Sequence, residues 1–305
     1  MTTLSPEMFE IVGSDAFESN VISRPLITYW QDAWRRLKKK PIAMIALFVL
    51  IVMIILCIIG PYIRGFDLFL MDVKNKNVPP NATYWFGTDN LGRDLFSRIW
   101  LGSRASILVA IVCTTIQIVL GSIVGGTMAY LGGWVDEVLM RIIEILSSVP
   151  NLLLTMLIMI IFGNSYISLL IALSAVSWTG AARQVRGQVL QLREMEYVTA
   201  AEALGSRPRW MILKHLLPNT MGILILIAAT SIPNFIFMEA GLSFLGIGLQ
   251  PPNMSLGVLI SLGQQNLTFH PYQLYYPALV LCVIVLCFNL LGDGLRDALD
   301  PKLRQ

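Results

Sequence analysis

Apolar residues in this chain gather into long runs rather than recurring at a helical or strand period. Ile42 to Gly60, Ile107 to Tyr130, Thr220 to Met238 and Tyr275 to Leu291 are almost unbroken. A hydrocarbon core about 30 Å thick takes roughly 20 helical residues to cross, so these four runs predict transmembrane helices. Two weaker runs, Leu146 to Phe162 and Ile167 to Ala182, are separated only by Gly163, Asn164 and Ser165, which predicts an antiparallel pair joined by a short turn. The expectation is an all-α integral membrane fold with six spans. Polar positions fill the rest: a leader over residues 1–41, a segment from 61 to about 104, and a segment from 183 to 219.

The last of these is longer than a turn between spans requires, and it has helical patterning of its own. Tyr197, Ala200, Ala201 and Leu204 recur at i, i+3, i+4 and i+7, which predicts one apolar helical face. Gly205 follows where a left-handed cap ends a helix. Ser206 can cap the next one, and Pro208 suits its first turn. A second helix is expected from Arg209 to Leu217, carrying Trp210, Leu213, Leu216 and Leu217, with Pro218 ending it.

Composition agrees with a membrane domain. Hydrophobic residues make up 55% of 305, charged residues 13%, and the mean hydropathy is +0.68; soluble domains carry nearer a quarter charged residues. The net charge of +3 matters less than its distribution. With six spans, Arg24, Arg35, Arg36, Lys38 to Lys40, Arg141, Arg183, Arg186, Arg193, Arg207, Arg209, Lys214, Arg296, Lys302 and Arg304 share one side. Only Arg64, Lys74, Lys76, Arg93, Arg98 and Arg104 fall on the other. The positive-inside rule makes the first side cytoplasmic, with both termini, so Glu196 to Asn219 is expected in the cytosol and residues 61 to about 104 outside. In the leader, Trp30, Trp34 and Leu37 beside the basic run fit an interfacial helix; a topogenic charge cluster explains the run equally well. The first apolar run lies behind this leader, as in an uncleaved anchor. Residues 42–305 form one transmembrane domain. Cys57, Cys113, Cys282 and Cys287 all lie in apolar runs and read as small buried hydrophobes rather than disulfide or metal partners. No GxxxxGK[ST] phosphate loop occurs, so any nucleotide-driven work must come from a partner.

The order Tyr197-Val198-Thr199-Ala200-Ala201 with Gly205, then His215-Leu216-Leu217-Pro218-Asn219, resembles the EAA loop of ABC-importer permeases. Thr199 and His215 stand where the general family has a carboxylate and an isoleucine. Both departures resemble the oligopeptide/dipeptide/nickel branch. Phe86-Gly87-Thr88-Asp89-Asn90-Leu91-Gly92-Arg93-Asp94 and Glu239-Ala240-Gly241-Leu242-Ser243-Phe244-Leu245-Gly246 are similar to signatures of that branch's C-type subunits. The resemblance implies a six-helix type I permease fold whose cytoplasmic coupling helix docks on a separate ATPase. It assigns that coupling to Tyr197, Thr199, Ala200, Ala201, Gly205, His215, Leu217 and Pro218. It also implies a homologous permease partner, two ATPase subunits and an external solute-binding protein, in a bacterial cytoplasmic membrane. ATP and magnesium would then sit on the ATPases, with no cofactor, metal or nucleic acid on this chain. Peptides are the expected cargo; nickel or another small solute is the alternative.

Two further groups stand out. Gly87, Asp89, Arg93 and Asp94 read either as a capped, ordered loop before the second span or as part of an external docking face or gate. Glu239 is a lone carboxylate in the fifth span, where ionisable groups are costly and face a partner or water. It and Phe244 are candidate path or gate residues, beside a glycine-rich run expected to break the helix; a structural hydrogen bond holding that break is the other reading. Gln117 and Asn289 are expected to join helices by hydrogen bonds. An intramembrane enzyme is disfavoured, because the chain has neither HExxH nor paired intramembrane aspartates. A stand-alone ion-coupled transporter would have Glu239 as its one candidate site.

Overall fold

The structure, a computed structural model, describes residues 29–67, 70–207 and 210–299. The expectations at Pro208, Arg209, Arg24, Lys302 and Arg304 lie outside the described residues. Ten α-helices of eight residues or more are named here in chain order: α1 (Tyr29–Lys38), α2 (Pro41–Ile63), α3 (Leu95–Leu131), α4 (Gly133–Ser148), α5 (Asn151–Phe162), α6 (Tyr166–Arg193), α7 (Glu196–Ala203), α8 (Met221–Phe244), α9 (Leu256–Gln265) and α10 (Tyr272–Leu299). Five of them are long and apolar enough to cross a membrane, or up to six spans if the bent pair α4 and α5 counts as one.

The third expected span is that bent pair. Pro150 has no N–H and biases the residue before it away from helix. Val149 accordingly sits at φ −86°, ψ 130°, and the two helices meet at 82°. With 12 residues, α5 reaches only about 18 Å and cannot cross a bilayer alone.

Three other boundaries differ from the sequence reading. α3 begins at Leu95 rather than Ile107, because Asp94 caps it by accepting the Ser97 amide at 2.8 Å. Its 37 residues rise about 55 Å, well beyond the hydrocarbon. α6 continues past Ala182 to Arg193, since Val185 and Val189 carry its buried face onward. The polar loop therefore starts after Arg193. α8 runs unbroken through Glu239 and stops only where Gly246 adopts φ +77°. Gly246 belongs to the glycine-rich run where the break is expected, so only the end of the span, past Met238, differs.

Lipid offers no hydrophobic drive for helices to associate, so close backbone approach must supply it. The main pairing is α3 with α6. A Cβ on Gly121 would lie 2.5 Å from the Ala181 Cβ, and one on Gly125 only 2.3 Å from the Ala182 oxygen. These glycines form a GxxxG pair against two alanines. At one end of the bundle α10 returns to the leader: Leu37 packs with Ala43 and Ala298, and Lys40 pairs with Asp297. At the other end α9, absent from the sequence reading, is started by Ser255, which accepts the Val258 amide at 3.2 Å. It lies against α8, where a Cβ on Gly257 would meet the Ala240 backbone at 2.6 Å.

Candidate functional site

At the first end, α7 and residues 210–219 form a folded-back hairpin. Two turns of helix can bury only one narrow edge. Val198 takes that place, fully buried with Met211 and Leu216 against Ala129, Val185 and Val189. Ala201 is partly buried, while Tyr197, Thr199, Ala200 and Leu204 are exposed. The anticipated stripe is thus mostly turned outward, and the side chain that seats the helix is one position off it. α7 ends with the Ser206 amide reaching back to the Ala201 carbonyl at 3.2 Å, the six-to-one bond of a Schellman cap. Gly205 sits in the left-handed position at φ +80°.

Beyond the turn, Met211–Leu216 is wound with π-type bonds, and the Leu217 amide donates to the Ile212 carbonyl. Pro218 has no amide to give, so helical bonding must reorganise around it. Pro218 does not end the segment; Leu217–Asn219 is helical and leads through Thr220 into α8. Asn219 compensates with its side chain: Nδ2 donates to the His215 carbonyl at 2.6 Å and to the Tyr197 hydroxyl at 3.2 Å. That second bond ties the two halves of the hairpin. His215 and Leu217 are half-buried, and Pro218 is exposed. Leu204, 88% exposed, projects with Trp210 and Leu213, and Lys214 lies 4.1 Å from the Trp210 ring centroid. Exposed apolar groups of this kind mark protein or membrane contacts.

The opposite end carries the Gly87–Asp94 loop, whose polar groups bond within the loop and to the segments packed on it. Asp89 accepts the amides of Leu91 and Arg93 through Oδ1 at 2.9 and 3.0 Å. Its Oδ2 pairs with Arg93 at 2.7 Å and lies 3.4 Å from Arg98 Nε. Asp94 is the α3 cap, and the Thr88 carbonyl accepts from Gln273 Nε2 at 2.9 Å and from the Tyr272 hydroxyl at 3.1 Å. Gly87 and Gly92 both have φ +77°. A Cβ on Gly87 would strike Tyr272 and the Val78 oxygen at 2.6 Å, and one on Gly92 the Asp72 oxygen at 1.8 Å. With Asp89, Asp94 and Arg98 buried, the geometry is that of an ordered plug fastening α3 to α10.

Glu239 is wholly buried. It accepts Ser106 Oγ of α3 at 2.6 Å and Ser243 Oγ of α8 at 2.9 Å. Ser106 Oγ in turn receives the Leu256 amide at 3.3 Å, and Ser243 Oγ the Leu249 amide at 3.1 Å. The carboxylate therefore joins α3, α8 and the start of α9, and it lines no surface. Phe244, by contrast, is exposed at the end of α8. Gln117 and Asn289 do not join neighbouring helices among the described residues. Gln117 Oε1 has no partner and Asn289 is exposed.

The family described as binding-protein-dependent transport system inner membrane component matches residues 117–305. Residues 28–80 match the N-terminal TM domain of oligopeptide transport permease C. This chain belongs to the binding-protein-dependent transport permeases. It is 44% identical to the dipeptide transport system permease protein DppC of Bacillus subtilis (strain 168), over 94% of this chain and 90% of that one. It is 38% identical to the oligopeptide transport system permease protein OppC of the same organism, over the whole of both chains. Among solved structures, an inward-facing form of the MetNI methionine ABC transporter superposes with a TM-score of 0.52 at 18% identity, covering 68% of this chain and 96% of that one. That likeness supports the type I permease fold. Within this permease, the sequence reading missed Val198, Met211 and the serines around Glu239. Val198 and Met211 lay beside the counted periodicity; Ser243 is the i+4 neighbour of Glu239 on α8, whereas Ser106 reaches it only through tertiary structure.

Proposed function

We propose that this chain is one of two homologous permease subunits of an ATP-driven peptide importer in a bacterial cytoplasmic membrane. In this reading both termini and the α7 hairpin face the cytosol, and the Gly87–Asp94 end faces outward. Two ATPase subunits, which hold ATP and magnesium, grip the hairpins of the two permeases, and an external solute-binding protein delivers the peptide. The chain itself holds no cofactor and performs no covalent chemistry.

The observation that carries this reading is the outward-facing apolar group of Leu204, Trp210 and Leu213 around the Gly205 turn. It projects from a hairpin whose buried side is fastened to α3 and α6 by Val198, Met211 and Leu216. A push on the exposed face is therefore transmitted to the spans. ATP-driven closure of the ATPases moves the two hairpins together and tips the bundles from inward-open to outward-open; hydrolysis resets them. The ATPases can shift this equilibrium only by binding one arrangement more tightly than the other. Peptide cargo is favoured over nickel by the dipeptide and oligopeptide relatives.

The test has two arms. Leu204→Asp with Leu213→Asp alters only exposed positions. Fully burying one leucine contributes about 1.5–3 kcal/mol, so the double variant should insert normally yet lose most ATPase co-purification and peptide uptake. Unchanged co-purification would refute the docking face. Deleting the gene should abolish uptake of short peptides, with recovery on complementation; intact peptide uptake with lost nickel uptake would transfer the cargo to the metal.

A further inference from the structure

The face of α8 turned away from Glu239 carries polar groups where a lipid-facing helix would carry none. Thr230, Asn234 and Phe237 are exposed, and with Gly241 and Phe244 they repeat at intervals of four, three, four and three along one side. Asn234 lies about 20 Å along α8 from its start, near the middle of this apolar helix of 24 residues. Its amide makes no hydrogen bond among the described residues, and an unpaired amide in lipid is strongly disfavoured. Thr230 satisfies its own hydrogen on the Leu226 and Ile227 carbonyls at 3.1 and 3.2 Å, which leaves its oxygen outward as an acceptor. Toward the α7 end the same face continues through Leu226 and Gly222. These two line a cavity of about 620 Å³ together with Gln188, Asn219 and Arg296. That volume falls in the range of ligand-holding clefts.

We infer that this stripe lines the aqueous path, with Asn234 and Thr230 contacting the main chain of a peptide in transit. The inference rests on the importer reading above and names the surface that serves it. The chemistry fits: a neutral amide offers a donor and an acceptor to the N–H and C=O that every peptide carries, whatever its side chains. Phe237 and Phe244 supply apolar contact without charge, and the cavity at the α7 end is the mouth into which the stripe opens. Glu239 acts from the opposite side of the helix as a positioning residue: it fixes α8 against α3 and α9 through Ser106 and Ser243 and so sets how the stripe is presented.

The experiment uses the assembled transporter with Cys57, Cys113, Cys282 and Cys287 replaced. Asn234→Cys is compared with Ile58→Cys, an exposed apolar position on α2. A hydrated thiolate attacks the sulfur of a charged methanethiosulfonate, forming a mixed disulfide and expelling methanesulfinate, so Asn234→Cys should react faster than Ile58→Cys. Adding trialanine should slow that reaction and leave Ile58→Cys unaffected. If Asn234→Cys fails to assemble, Thr230→Cys carries the same readout. Labelling no faster than at Ile58, labelling indifferent to trialanine, or cross-linking to the neighbouring permease without modification would each overturn the inference. Peptide uptake by the cysteine-free parent is measured alongside. Uptake with an unreactive stripe sinks this inference alone, whereas absent uptake with a reactive stripe sinks the importer reading.

Discussion

At Gly205 the backbone sits at φ +80°, and a Cβ there would meet nothing within 4 Å. Space is free, so conformation alone demands glycine. A left-handed residue with a side chain costs about 1–2 kcal/mol, more for a β-branched one, and Asn is tolerated best. Gly205→Val should therefore lower peptide uptake while membrane insertion is kept, and Gly205→Asn should restore most of it. Equal uptake by the two variants would remove the turn from the coupling argument. Gly92 makes the opposite case, because a Cβ would overlap the Asp72 oxygen as well. Asp89 is also exacting: it is the carboxylate that faces Arg93 and buried Arg98. Removing one partner of a buried pair costs about 3–5 kcal/mol. Asp89→Asn should sharply lower the thermal unfolding temperature in detergent, whereas a mere docking residue would leave it unchanged.

At the scale of elements, what could be read in advance depended on whether local chemistry or tertiary contact decides. The long apolar runs and the Gly205 turn were legible because each follows from residues adjacent in the chain. The start of α3 was not, although Asp94 and Ser97 are a capping pair, because Arg98 and Arg104 interrupt the apolar run and hide its first turns. Pro150 was in plain view, yet an 82° bend depends on how α4 packs afterwards. Glu239 stands out in the sequence as a lone carboxylate with a structural hydrogen bond as one of its two readings, but its partner Ser106, 133 positions away, is not legible there. The GxxxG pair on α3 is a local signal whose partner, Ala181–Ala182 of α6, is not local. Gly125→Leu should push α6, at its Ala182 oxygen, away from α3, with an overpacking cost of about 1–3 kcal/mol. Because α6 also carries Val185 and Val189 under the α7 hairpin, the same variant should weaken ATPase co-purification without touching an exposed residue. A stable variant with normal co-purification would mean that α3 and α6 do not act as one rigid unit.

For the whole molecule, the orientation proposed above rests on where charge gathers. Arg35, Arg36, Lys38 to Lys40, Arg193, Arg207, Lys214 and Arg296 all belong to the end that carries α1, α7 and the close of α10. At the other end Arg93 and Arg98 are offset by Asp89, while Arg64 bonds the Thr83 carbonyl and lies against the Trp85 ring. Basic side chains are offset at the first end as well, by Asp32, Asp136 and Asp297. The proposed orientation therefore rests on the plain excess of Lys and Arg there, which the positive-inside rule assigns to the cytosol. The length of α3 makes the two ends experimentally separable: about 55 Å of helix set across about 30 Å of hydrocarbon leaves its ends in or beyond the headgroups. In the cysteine-free chain, Ser206→Cys should react with a membrane-impermeant maleimide only in inside-out vesicles or permeabilised cells. Asn75→Cys, in the Val73–Asn75 turn at the far end, should react in intact cells. Reversal of the two patterns would invert the molecule. The ATPases would then have to meet the end that carries the Asp89 loop.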